Sequence, residues 1–110
     1  MSKITERPKF QEKYDNFIGG KFVPPVKGEY FDNISPIDGK PFTKVARSSK
    51  EDVDLAIDAA EEAFKTWGKS SPAYRSKVLN KIADIMEANL EYLAIVETID
   101  NGKALRETMA

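Results

Sequence analysis

The chain has 110 residues, a net charge of -1, 41% hydrophobic and 32% charged side chains, and neither cysteine nor histidine. Those two absences exclude disulfides, thiolate nucleophiles, Ser-His-Asp triads and the usual zinc sites, and the remaining carboxylates, lysines, tyrosines and hydroxyls fall into no catalytic pattern. Basic residues are interleaved with acidic ones rather than gathered in a stripe, which argues against a nucleic-acid partner. No apolar run is long enough to cross a bilayer, and the start lacks the apolar core of a signal peptide, so a cytoplasmic protein without a membrane partner is expected.

Residues 1–16 are polar and charged with no sustained period, and read as a loosely held N-terminal arm in which Phe10 and Tyr14 could form an amphipathic turn. Residues 17–47 read as a β-ribbon. Phe17-Ile18 and Lys21-Phe22-Val23 flank Gly19-Gly20, a pair that takes positive φ at both central hairpin positions without steric cost. A phosphate cradle at this pair is disfavoured, because neither a third glycine nor a helix follows. Pro24-Pro25 ends the second strand, since neither can donate to a ladder. Tyr30 to Ser35 is a third extended segment, Pro36-Ile37-Asp38-Gly39 a turn, and Pro41 to Ala46 a fourth strand. A peripheral meander or ribbon is the expected arrangement.

Residues 48–110 switch to helical period. Ser49 is a good N-cap, with Asp52 three residues on to complete a capping box. Val53, Ala56, Ile57, Ala60, Phe64 and Trp67 then recur on one narrow face of a helix that Gly68 ends. Core packing is the better reading of Phe64 and Trp67 than ligand stacking. Ser71-Pro72 opens a second helix with serine at the cap and proline at its first turn. Its apolar residues, Val78 to Leu90, cover a wider arc and imply more than one neighbour. Asn89 marks a new start or a kink. From Leu90 to Ile99 apolar side chains point nearly all round, so this helix must be buried on most sides, with material that a chain of this length cannot supply. Asn101-Gly102 closes it, since glycine takes the left-handed cap conformation, and Lys103 suits the negative end of the helix dipole. Residues from Ala104 begin another helix, and the chain is expected to be truncated at 110.

These pieces together resemble the N-terminal part of the aldehyde dehydrogenase superfamily. The resemblance is carried by Phe17-Ile18-Gly19-Gly20-Lys21-Phe22-Val23, by Asn33-Ile34-Ser35-Pro36 with Asp38-Gly39, by Lys50-Glu51-Asp52-Val53-Asp54 with Ala56-Ile57, Ala60, Ala63-Phe64 and Trp67, and by Glu97-Thr98-Ile99-Asp100-Asn101-Gly102-Lys103. It runs from about Phe17 to Ala110. Two positions depart from the family's habit: Ser35 stands where asparagine often precedes the proline, and Ala104 where proline often follows the lysine.

The resemblance implies an α/β parent fold. This chain would be its N-terminal portion, β-hairpin and ribbon strands followed by three to four α-helices of the nucleotide-binding domain. It implies an oxidoreductase that oxidises aldehydes to carboxylic acids with NAD or NADP, a homo-oligomer in which a cysteine thiolate attacks the aldehyde, amide donors hold the oxyanion and a glutamate activates water. Those parts would lie beyond position 110, so no catalytic or cofactor-binding residue is carried over and the chain alone is expected to be inactive, with the rest of the same polypeptide as its partner. One site is carried over: a structural sodium or potassium ion at Asn33, Ile34 and Asp100, where a hard cation would meet carbonyls at a helix C-terminus. The plainer alternative is that Asp100 satisfies nearby amides or faces water. Two other functional classes compete, a free-standing helical interaction module and a small acid–base enzyme using Glu97 and Asp100 at i and i+3.

Overall fold

The structure, a computed structural model, describes residues 7–110. The part of the expected arm on residues 1–6 lies outside the described residues. The remainder of that arm is not loose. Lys13–Tyr14 (β1) pairs in parallel with Pro41–Ala46 (β5), with Lys13 opposite Lys44 and Tyr14 opposite Val45. The Lys44 amide donates to the Glu12 carbonyl at 3.1 Å, and the Thr43 hydroxyl donates to the Gln11 carbonyl at 2.7 Å. Phe10 and Phe42 meet with ring centroids 4.9 Å apart. A two-residue strand has no period to detect, and what fixes it is the open edge of β5 some thirty residues away.

Tyr30–Ile34 (β4) takes the other side of β5, antiparallel, so the sheet order is β1-β5-β4. Asn16–Ile18 (β2) and Lys21–Val23 (β3) form a separate antiparallel pair, turned by Gly19 and Gly20 at φ 64 and 82°. The expected meander or ribbon takes the form of a mixed three-stranded sheet and a separate antiparallel hairpin. The prolines explain the break: Pro24 and Pro25 cannot extend the hairpin ladder, so the chain leaves it before β4 begins.

Lys50–Trp67 (α1) starts where expected. The Asp52 carboxylate accepts from the Ser49 amide at 2.8 Å, and its second oxygen accepts from the Val26 amide at 2.8 Å, tying the helix start to the loop after β3. In Pro72–Ala88 (α2) the Ser71 hydroxyl accepts from the Tyr74 amide at 3.1 Å, beside proline at the first turn. Asn89 separates α2 from Leu90–Asn101 (α3). Its side-chain amide donates to the Ile85 carbonyl at 2.8 Å beside its own main-chain amide at 3.2 Å, and its backbone leaves the helical region at φ -115° and ψ 21°. Gly102 closes α3 at φ 77°, donating to the Thr98 carbonyl at 2.8 Å. Leu105–Thr108 (α4) is a single turn, held to α3 by the Thr98 and Thr108 hydroxyls at 2.9 Å.

Packing is thin. Among the described residues the buried hydrophobic side chains are Ala94 and Ile99, both on α3 where it meets the sheet. The apolar face of α1 is open, with Phe64 68% exposed, and so is that of α2, with Leu79 66% exposed. Even on α3, Leu90, Tyr92 and Leu93 remain exposed. The molecule measures 45 × 38 × 18 Å with a radius of gyration of 17.3 Å. A compact chain of this length would have about 13 Å. Its helices have apolar faces suited to a core, and its own residues do not cover them.

Candidate functional site

The best-organised polar constellation lies where the turn after β4 meets the end of α3. Two local features prepare it. The Ser35–Lys40 turn closes on itself, with the Ser35 amide donating to the Lys40 carbonyl at 3.0 Å and the Gly39 amide to the Ser35 carbonyl at 2.8 Å. The Asp38 carboxylate accepts from the Lys40 amide at 3.0 Å, and this hydrogen bond first, with Arg7 behind it, holds its pKa below the ordinary carboxylate value. Opposite, the last turn of α3 presents carbonyls with partial negative charge.

Three contacts join the two. The Asn33 side-chain amide donates to Asp100 Oδ1 at 2.8 Å. The Ser35 hydroxyl, fully buried, donates to the Ile99 carbonyl at 2.6 Å. Pro36 lies against Gly102 so closely that a Cβ on the glycine would sit 2.9 Å from Pro36 Cγ. Asn33 and Asp100, expected as cation ligands, are thus brought together. Ile34 follows at an irregularity of the β4–β5 register, its side chain 55% exposed. The Asp100 carboxylate thus accepts from a side-chain amide of the neighbouring strand. Among the described residues no group of three or more His, Cys, Asp or Glu side chains gathers to hold a metal.

A cleft of about 390 Å³ opens beside this junction, between the sheet and α3, with Phe10, Phe42, Leu93 and Val96 as apolar walls and Asn33, Glu97 and Asp100 as polar ones. Both carboxylates of the acid–base alternative line it, but Asp100 is taken up by the Asn33 amide and Glu97 faces solvent. The roles of Ser35 and Pro36 were missed as site features. Nothing in the local pattern signals them, because their partners lie 64 residues or more along the chain.

The sequence profile of the aldehyde dehydrogenase family matches residues 22–110. This chain belongs to the aldehyde dehydrogenase family. It is 65% identical over 101 residues to a long-chain-aldehyde dehydrogenase of an Acinetobacter species, and 63% identical over 101 residues to an aldehyde dehydrogenase of Deinococcus radiodurans. Each alignment covers 92% of this chain and 20% of the relative. Among solved structures, a point mutant of betaine aldehyde dehydrogenase from Staphylococcus aureus, in complex with NAD+, superposes with a TM-score of 0.84 at 33% identity, covering 87% of this chain and 20% of that one. The chain therefore spans about a fifth of the length of these aldehyde dehydrogenases. Its strands-then-helices order is the order of the matching segment in an α/β fold. No described helix of this family member is long and apolar enough to cross a membrane.

Proposed function

We propose that this chain is the N-terminal portion of a cytoplasmic, homo-oligomeric oxidoreductase that converts aldehydes to carboxylic acids with NAD or NADP, and that it serves as scaffold rather than reaction centre. The observation that carries this reading is the family match across residues 22–110 in a chain whose α1 and α2 leave their apolar faces open. Faces such as those of Phe64 and Leu79 lose roughly 25 cal/mol of stabilisation for each Å² of apolar surface left in water, so they favour association with the remaining four-fifths of the enzyme. The nicotinamide cofactor supplies the hydride acceptor when bound, and no residue of this chain is assigned to it. With no cysteine in 110 residues, the thiolate chemistry comes from elsewhere in the polypeptide. The helices and hairpin seat the segments that carry it.

The junction of Asn33, Ile34 and Asp100 is further proposed to hold a structural sodium or potassium ion in the assembled enzyme. Asp100 would supply a carboxylate, and Asn33 and Ile34 amide or main-chain oxygens, which suits a hard monovalent cation.

A chimera tests the reading. The matching 101 residues of the Acinetobacter relative are replaced by this chain. The chimera is expected to fold and to reduce NAD or NADP in the presence of a long-chain aldehyde, whereas the 110-residue chain alone gives no turnover. A folded but inactive chimera, or turnover by the chain alone, refutes it. The competing interaction module predicts instead that the chain folds cooperatively alone and cannot replace the enzyme's segment.

A further inference from the structure

The chain has five asparagines, and Asn101 is the one followed by glycine. An asparagine in that setting is chemically labile, because the next amide nitrogen meets no side-chain obstruction on its way to the side-chain carbonyl carbon. The Gly102 nitrogen loses its proton to solvent base and attacks Asn101 Cγ. The C–N bond to the side-chain nitrogen breaks and ammonia departs, leaving a five-membered imide. Water then opens the imide at either carbonyl, giving an aspartyl or isoaspartyl residue at position 101. The net change is amide plus water to carboxylate plus ammonium, with no oxidant or reductant involved.

Two features of the structure act on this reaction in opposite directions. The Lys103 amide donates to Asn101 Oδ1 at 2.8 Å, on the oxygen where negative charge develops during ring closure, and so favours it. The nucleophile, however, is locked. Gly102 N–H is committed to the Thr98 carbonyl at 2.8 Å, and Asn101 is the last residue of α3, so its peptide plane must leave the helical conformation before the ring can form. That lock is reinforced from across the fold by Pro36 against Gly102, Ser35 on the Ile99 carbonyl and Asn33 on Asp100. Asn101 itself is exposed, so water has access once the lock opens.

We propose that Asn101 is a deamidation site gated by the docking of the Ser35-Pro36 turn on the end of α3. Opening of the junction frees the Gly102 amide, and the modification then makes the opening permanent. The new carboxylate stands at the negative end of the helix dipole beside Asp100, and the isoaspartyl form adds a backbone atom that moves Gly102 off Pro36. The site is thus an irreversible record of how long the junction has spent undocked. This inference rests on the capped helix and on the turn docked against it, and stands or falls independently of the proposed enzyme function.

The test incubates the intact protein carrying this segment at mildly alkaline pH, in native buffer and in denaturing urea, and follows position 101 by peptide mapping and isoaspartate content. The urea sample is expected to deamidate at Asn101 at least about tenfold faster than the native one, since reaction must wait for local opening. Pro36→Ala in native buffer is expected to move the native rate toward the urea rate, and Asn101→Gln to abolish the product in both. Asn89, a helix-break asparagine followed by leucine, is the internal control and stays intact. Equal native and urea rates overturn the proposal, as does a Pro36→Ala protein whose native rate is unchanged. Should Pro36→Ala unfold the protein, Ser35→Ala carries the same prediction, and a Ser35→Ala native rate equal to wild type overturns the proposal.

Discussion

Replacing Gly102 by alanine probes the junction on which both the helix cap and the candidate site depend. Gly102 sits at φ 77°, where an L side chain costs roughly 1 kcal/mol in backbone conformation. The added Cβ would also lie 2.9 Å from Pro36 Cγ and 3.6 Å from Pro36 Cβ. A proline ring cannot swing aside, so the turn or the helix end must shift, an overpacking cost of roughly 1–2 kcal/mol. The sum, about 2–3 kcal/mol, is a large share of a domain's stability. Hydrogen exchange at the residue-102 amide, bonded to the Thr98 carbonyl, reads the local opening directly, without needing the whole protein to unfold in one step. The double variant with Pro36→Ala separates the terms, because removing the ring leaves the conformational cost of roughly 1 kcal/mol and relieves the clash. If Gly102→Ala alters that protection by less than about 0.5 kcal/mol, or if Pro36→Ala leaves its cost undiminished, the close approach does not govern the junction.

Three further outcomes are expected. Ser35→Ala removes the buried donor to the Ile99 carbonyl and should destabilise by roughly 1–3 kcal/mol in urea unfolding, with the end of α3 exchanging faster; a loss confined to the β4–β5 turn would argue against the contact. The Asp52 carboxyl is held below its ordinary pKa of 3.8, chiefly by the Ser49 amide and then by the Val26 amide. A depressed folded-state pKa contributes stability above the unfolded value that is lost as pH falls through the folded one, so the stability gap between wild type and Asp52→Asn should be full at neutral pH and close in acid; a gap that widens in acid contradicts this sign. Exchanging tetramethylammonium for sodium or potassium should raise the melting temperature of the assembled enzyme but not of its Asp100→Ala variant, and identical melting in all three salts removes the cation proposal.

The candidate site was legible only in part. Asn33 and Asp100 were named through family likeness, not through any period or spacing, and the structure places them in direct contact. Ser35, the buried donor, belongs in the sequence to an extended segment and to the motif of the family likeness, where it departs from the usual asparagine. Its role depends on a carbonyl 64 residues away.

The amino-acid order alone determined what is settled within a few residues: the Gly19-Gly20 hairpin, the Ser49–Asp52 and Ser71-Pro72 helix starts, the break at Asn89 and the left-handed cap at Gly102. Steric limits on φ and the need of terminal amides for partners act at that range, so they can be read from neighbours. Only the tertiary structure decided that β1 joins β5 in parallel, that the hairpin stands apart, and that the Ser35-Pro36 turn locks the end of α3. Those choices arise between segments far apart in the chain, where an open strand edge, an unpaired carbonyl and a missing Cβ find one another through shape. The apolar faces of α1 and α2 stand between the two cases. Their pattern announces burial, and the fold leaves them open because burial there requires a surface these residues do not provide.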